Sequence, residues 1–115
     1  MANLGFDNAL VPTGTVVTAS GNGTAYELDD KDEYRGQVNV TAASGTSPSL
    51  TVTVQTSHDN GATDPWRAVA SFPAVTAVGV TAWQVFAGLD RWVRASYAVS
   101  GTTPSLTFGV AGEAV

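Results

Sequence analysis

Period-two alternation of apolar and polar residues is the sequence feature that most narrowly limits the fold. The clearest case is the segment 50–55, in which leucine and valine alternate with threonine and glutamine. Segments 37–41 and 106–110 alternate in the same way. This pattern is typical of strands that bury one face and expose the other, and no segment shows the 3.6-residue period of an amphipathic helix. The sequence therefore predicts an all-β protein.

The pattern predicts about eight short strands in one domain. Glycine, proline, serine and asparagine separate the alternating segments, and the threonine and valine within them suit a pleated, half-buried surface. The remaining predicted strands are 14–19, 24–28, 66–72, 80–86 and 91–99. Short strands at this spacing favour a single antiparallel β-sandwich of the jelly-roll or immunoglobulin-like type. We expect it to span residues 13–115, after a weakly patterned N-terminal arm at 1–12 that is either flexible or docks on a neighbour.

The alternating faces also predict the core. The residues expected to be buried are Leu50, Val52, Val54, Val38, Val40, Val93, Tyr97, Leu106 and Phe108. Phe72 and Phe86, at strand ends, are expected to close the sandwich. Trp66 and Trp83 stand beside small apolar residues, so we assign them to the core as well.

An eight-residue phrase occurs twice in the chain. SGTSPSLT at 44–51 recurs as SGTTPSLT at 100–107. Each copy lies between two alternating segments, and glycine and proline are common where a turn leads into a strand. We therefore interpret both copies as hairpin connections. The alternative is that both loops contact the same kind of partner.

Composition and charge argue against several classes of function. The chain has 5 Lys and Arg residues against 10 Asp and Glu, a net charge of -5, whereas nucleic-acid binding normally needs a basic face. It has no cysteine, which excludes disulfides and thiolate metal sites. No apolar run is long enough for a membrane helix. The N-terminus lacks the basic start and apolar run of a signal peptide, so we expect synthesis in a cytoplasm.

Two polar stretches are candidates for metal binding or catalysis. The acidic run 27–33 lacks the glycine of a calcium loop and is interrupted by Lys31, so we interpret it as a solvated turn, with a cation site or a contact for a basic partner as alternatives. In loop 58–66, Asp59 and Asp64 could bind a cation, and His58 with Asp59 could suggest acid–base chemistry. No nucleophile motif accompanies them, so a structural turn is favoured. We predict no catalytic residue, no cofactor and no metal.

Trp92 and Arg94 are the strongest candidates for partner binding. In the segment 91–99, alternation places Val93 and Ala95 on one face and puts Trp92 with Arg94 on the other. If the first face is the core, the second projects the residue types that are enriched at interface hot spots. The alternative places Trp92 in the core, and sugar stacking is a further role for an exposed tryptophan. In the arm, additional apolar anchors are predicted at Leu4, Phe6 and Leu10.

Several phrases together resemble one family. They are TASGNG at 18–23, TAASGTSPSL at 41–50, QTSHDNG at 55–61 with Trp66 after it, LDRWVRA at 89–95 and SGTTPSLTF at 100–108. This set resembles the small β-sandwich structural proteins of tailed bacteriophages, which serve as capsid decoration or cement proteins. The likeness covers most of the chain from residue 10 onward, and its motifs are turn and strand phrases, so it brings no functional residues with it.

The resemblance implies a non-enzymatic virion protein, made in the bacterial host, that binds and stabilises the outer surface of a phage head. Its partner would be the major capsid protein lattice, with self-association on the capsid, for example as a trimer. Such a protein gains avidity from many identical sites. Two alternatives remain: another virion component, such as a head–tail connector or tail protein, and a carbohydrate-binding or adhesive module that uses Trp92.

Overall fold

The structure, a computed structural model, describes residues 9–28 and 30–115 and is all-β. Its eight strands are β1 (Val11–Val17), β2 (Gly21–Asn22), β3 (Tyr26–Glu27), β4 (Tyr34–Ser57), β5 (Arg67–Ser71), β6 (Gly79–Val80), β7 (Gln84–Phe86) and β8 (Trp92–Ala114). None of the described residues belongs to a helix that could cross a membrane. The predicted all-β fold and the number of strands are confirmed, but β4 and β8 are long, at 24 and 23 residues.

Two long strands organise the fold. β4 and β8 pair antiparallel along almost their whole length, from Tyr34 opposite Ala114 to Ser57 opposite Trp92. Both strands bend near the middle, and a strand that bends in this way can pass from one layer of a sandwich to the other. Layer A contains β1, β6, β7 and segments 34–43 and 105–114; layer B contains β2, β3, β5 and segments 50–57 and 92–100.

The two copies of the repeated phrase meet where β4 and β8 bend. Residues 44–49 pair with residues 100–105, a region that we call the crossover. Gly45 has φ +103 and Gly101 has φ +118, and each glycine packs against the backbone of the other copy. The prediction of two hairpin connections is therefore wrong. The same glycine and proline signals that end a hairpin also bend a continuous strand, and local sequence does not separate these outcomes.

The core lies between the two layers. All nine residues predicted to be buried pack there; eight are almost fully buried and Tyr97 is partly exposed. Two ring contacts join the layers: Phe72 packs edge-on against Phe86, with ring centroids 4.9 Å apart, and Tyr97 against Phe108 at 5.7 Å. The predicted role of Phe72 and Phe86 is thus confirmed. Trp83, however, is 50% exposed, so its assignment to the core is wrong.

The strand pairings divide the chain into two repeats of the same topology. The first repeat is β1–β4 and the second is β5–β8. β1 pairs with β8 and β5 pairs with β4; β2 and β3 pair with β8, while β6 and β7 pair with β4. Backbone hydrogen bonds repeat too: Gly23 N donates to Ala95 O at 2.7 Å, and Thr81 N donates to Val38 O at 2.9 Å. The sandwich is therefore pseudo-twofold symmetric, with each layer built from segments of both repeats.

Candidate binding surfaces

The outer face of layer B carries Trp92 and Arg94, as the alternation predicts. Val93 and Ala95 are fully buried, while Trp92 and Arg94 are half-buried on the opposite side of the strand. The buried Thr56 holds the backbone at Trp92 in place. Its hydroxyl donates to Trp92 O at 2.8 Å and accepts from Asp90 N at 2.7 Å.

Arg94 is held in one position on this face. Its Nε donates to Oε1 of Gln55 at 2.8 Å, and its guanidinium carbon lies 4.4 Å from the ring centroid of Trp66. This geometry is typical of a cation–π contact. Partial burial lowers the pKa of Arg94 below its usual value, because burial disfavours the charged guanidinium. The half-buried Trp66 thus lies under an arginine at the surface and not in the centre of the core. We call the set Trp66, Trp92, Arg94 and Gln55 the aromatic–arginine face.

The N-terminal anchors divide into two groups. Leu4 and Phe6 lie outside the described residues, and their proposed contact stays a prediction. Leu10 is fully buried, and its N–H donates to Val110 O at 3.0 Å. Its side chain completes the core beside β1, so the structure corrects its assignment as an exposed anchor. The ordered sandwich begins within the segment predicted to be an arm.

A second surface, on the outer rim of layer A, was missed by the sequence reasoning. The segment 78–85 exposes apolar side chains at four positions: Val78 64%, Val80 61%, Trp83 50% and Val85 56%. We call this segment the apolar rim. The guanidinium carbon of Arg35 lies 5.1 Å from the ring centroid of Trp83. A signal was present in the sequence, because no charged residue occurs between positions 68 and 89.

The loop 58–66 is tied together by its own carboxylates. Oδ2 of Asp59 accepts from Thr63 N at 2.9 Å and from the Thr63 hydroxyl, and Oδ1 accepts from Asp64 N at 3.0 Å. Oδ2 of Asp64 in turn accepts from His58 N at 2.7 Å. The Thr63 hydroxyl is the main cause that lowers the pKa of Asp59 to about 2. The loop is thus folded as a turn that its own side chains hold together.

A polar cleft of about 410 Å³ opens where this loop meets the acidic run. Its lining is mostly charged and consists of Glu27, Asp30, Lys31, His58, Leu89, Asp90 and Arg91. Two ion pairs involve charged residues of this lining. Nε of Arg91 donates to the buried carboxylate of Glu27, and the guanidinium of Arg67 donates to the carboxylate of Asp90. Among the described residues, no group of three or more His, Asp or Glu side chains is placed to hold a metal ion.

Comparison with known proteins finds structures of similar fold but identifies no family. No protein-family model matches the chain, and no curated protein matches it. Among solved structures, the PBSX exported protein XepA is similar over 99% of this chain and 38% of its own, with a TM-score of 0.60 and 18% identity. The CBM22-1–GH10 modules of Clostridium thermocellum xylanase 10B, solved with xylohexaose, are similar over 98% of this chain and 29% of theirs, with a TM-score of 0.51 and 12% identity. The chain thus spans about a third of either neighbour, and at these identities the likeness shows the fold alone.

Proposed function

We propose that this protein is a non-enzymatic structural component of a phage virion, a decoration protein that binds the outer surface of the head. The resemblance of the turn and strand phrases to small structural proteins of phage heads supports this proposal. The fold likeness to XepA, named as a PBSX exported protein, also fits a phage-related role. The capsid lattice is the proposed partner, and the capsid surface is the proposed location.

The observation that carries the proposal is the aromatic–arginine face. Arg94 is fixed by Gln55 and Trp66 before any partner arrives, so little side-chain entropy is lost when the face is covered. Tryptophan and arginine are the residues that most often dominate the binding energy at the centre of an interface. Since the contact rests on aromatic packing more than on exposed charge, it should persist at moderate salt.

Occupancy on purified heads tests this proposal. Wild-type protein should bind in a number equal to, or a simple fraction of, the capsid protein copies. Trp92→Ala should weaken binding by about 2 kcal/mol, as truncation of a central anchor does. The control is Val16→Ala, which shortens an exposed side chain on β1 of the other layer. Equal binding of Trp92→Ala and wild type would overturn the proposed contact, and binding only as a single ring at a vertex would favour a connector or tail component.

Carbohydrate binding is the second candidate, and one observation favours it. Trp66 and Trp92 are both half-buried on the outside of layer B, beside the polar groups of Gln55 and Arg94. Flat indole rings with nearby hydrogen-bonding groups suit a sugar ring, and a CBM22 module is among the structures of similar fold. Calorimetric titration with xylohexaose, followed by a glycan array, tests this candidate. Binding that Trp92→Ala abolishes would support it, and the absence of binding to every glycan would exclude it.

A further inference from the structure

Arg94 differs from the other three arginines of the chain, because it is the least exposed and has no carboxylate partner. The other three are exposed, and each forms an ion pair: Arg35 with Glu113, Arg67 with Asp64 and Asp90, and Arg91 with Glu27. Arg94 is half-buried, and it forms no ion pair with any described residue. Burial lowers its pKa, and no nearby negative charge offsets that effect. The chain by itself therefore leaves this positive charge uncompensated.

The contacts of Arg94 leave one edge of its guanidinium free. Nε donates to Oε1 of Gln55 at 2.8 Å, and the indole ring of Trp66 covers one face, with its centroid 4.4 Å from the guanidinium carbon. Within the described part of the chain, neither Nη nitrogen donates a hydrogen bond. These two nitrogens form a planar fork whose spacing matches the two oxygens of a carboxylate. The fork is held in position before a ligand arrives.

The charge of the chain favours one carboxylate over a phosphate group or a nucleic acid as the ligand. The net charge is -5, so the protein repels a ligand that carries several negative charges. The carboxylates of Asp64 and Asp90 lie two residues along the chain from Trp66 and Trp92, which are the two tryptophans of this face. A single carboxylate brings one negative charge, which Arg94 offsets directly.

We propose that Arg94 binds the carboxylate of an aspartate or glutamate side chain on the capsid surface. This proposal rests on the proposed function, and it adds the chemical identity of the group that the aromatic–arginine face contacts. Gln55 and Trp66 are positioning residues, since they act by fixing the plane of the guanidinium. The pair forms beside the indole ring of Trp66, where salt screens it less than it screens a fully exposed pair.

Binding to purified heads, before and after amidation of their surface carboxylates, tests this proposal. Carbodiimide coupling with glycinamide converts those carboxylates to neutral amides. Amidation should weaken wild-type binding at least about 30-fold more than it weakens binding of Arg94→Gln, because the loss of one partner of a buried ion pair has an effect of this size. On native heads, Arg94→Gln should bind at least about 30-fold more weakly than wild type.

Two further variants separate the carboxylate contact from other effects of the substitution. Arg35→Gln removes the same charge from an arginine that also lies over a tryptophan ring, 5.1 Å from the centroid of Trp83, but that already pairs with Glu113. It should bind native heads like wild type. Arg94→Lys keeps the charge and loses the fork, so its affinity should lie between those of wild type and Arg94→Gln. Thermal melting of each variant checks that it is folded.

The outcomes distinguish this proposal from the decoration function. If amidation weakens wild type and Arg94→Gln equally, or if both bind native heads equally, the carboxylate contact is overturned and the decoration function remains. If wild type binds no heads, the decoration function fails, and the capsid carboxylate fails with it. Calorimetric titration with trigalacturonate tests the other source of a carboxylate. Binding that Arg94→Gln abolishes would assign the site to an acidic sugar and overturn the proposed protein partner.

Discussion

The two repeats share one topology, but they resemble each other in sequence mainly at the crossover. There SGTSPSLT and SGTTPSLT pack against each other, so each copy is part of the other's environment. Away from the crossover the two repeats differ in charge: residues 10–31 of the first repeat contain Glu27, two aspartates and Lys31, whereas residues 68–89 of the second repeat contain no charged residue. The comparison teaches that the bend and the buried apolar positions are fixed by packing, whereas the charge of each repeat is free to differ.

Truncation of Leu28 and Phe86, which occupy equivalent buried positions in the two repeats, should have the largest effect on stability. Phe86→Ala should cost about 3–5 kcal/mol and Leu28→Ala about 2–5 kcal/mol, because each leaves a cavity between the layers. Phe86 should be the more costly of the two, since it also loses its edge-on contact with Phe72. Urea unfolding measures both values. A loss below about 1 kcal/mol at either site would show that the two positions are not equivalent in the core.

Substitution of the two crossover glycines should cause the next largest loss of stability, and the loss should be similar at both sites. A Cβ on Gly45 would lie 2.6 Å from Thr103 O, and one on Gly101 would lie 2.8 Å from Ser47 O. Gly45→Ala and Gly101→Ala should each cost about 3 kcal/mol, through positive φ together with overpacking. Gly14→Ala is the control, because Gly14 has φ +91 but no atom within 4 Å of the added carbon; it should cost only about 1–2 kcal/mol. Equal losses at all three sites would show that close packing at the crossover contributes nothing.

Low pH should destabilise the protein through loop 58–66, which connects the two repeats. The pKa of Asp59 is about 2 in the folded protein and about 3.9 in an unfolded chain. Because the folded value is lower, the carboxylate stabilises the fold above pH ~4, and this contribution is lost as the pH falls toward ~2. Asp59→Asn should therefore melt at a lower temperature than wild type at pH 7 and change less between pH 4 and 2. An Asp59→Asn variant whose stability changes between pH 4 and 2 as much as that of wild type would contradict this role.

Substitution of an exposed residue of the apolar rim should have the smallest effect on the free energy of unfolding. Val80 is 61% exposed and makes no required core contact, so Val80→Lys should change the free energy of unfolding by no more than about 0.5 kcal/mol. Asn22→Lys should do the same in the first repeat. Urea unfolding of both variants measures this. A loss of more than about 1 kcal/mol at Val80 alone would mean that the exposed rim contributes to the fold.

Alternation was enough to predict the sandwich, its nine core residues and the outward direction of Trp92 and Arg94. It could not predict that the repeated phrase bends two continuous strands, because glycine and proline have the same local effect in a hairpin and in a bend. Trp83 was misplaced for a related reason. Its small apolar neighbours suggest a core, but they belong to an exposed rim, and only the pairing of β7 with β4 shows which side faces outward.

A density map of phage heads incubated with the protein tests the central claim most directly. The account predicts density on the outer surface of the head, with the aromatic–arginine face of layer B against the capsid and the apolar rim turned away from it. Heads without added density, or density found only at a tail vertex, would contradict the decoration function. Density in which layer A faces the capsid would contradict the assignment of the aromatic–arginine face.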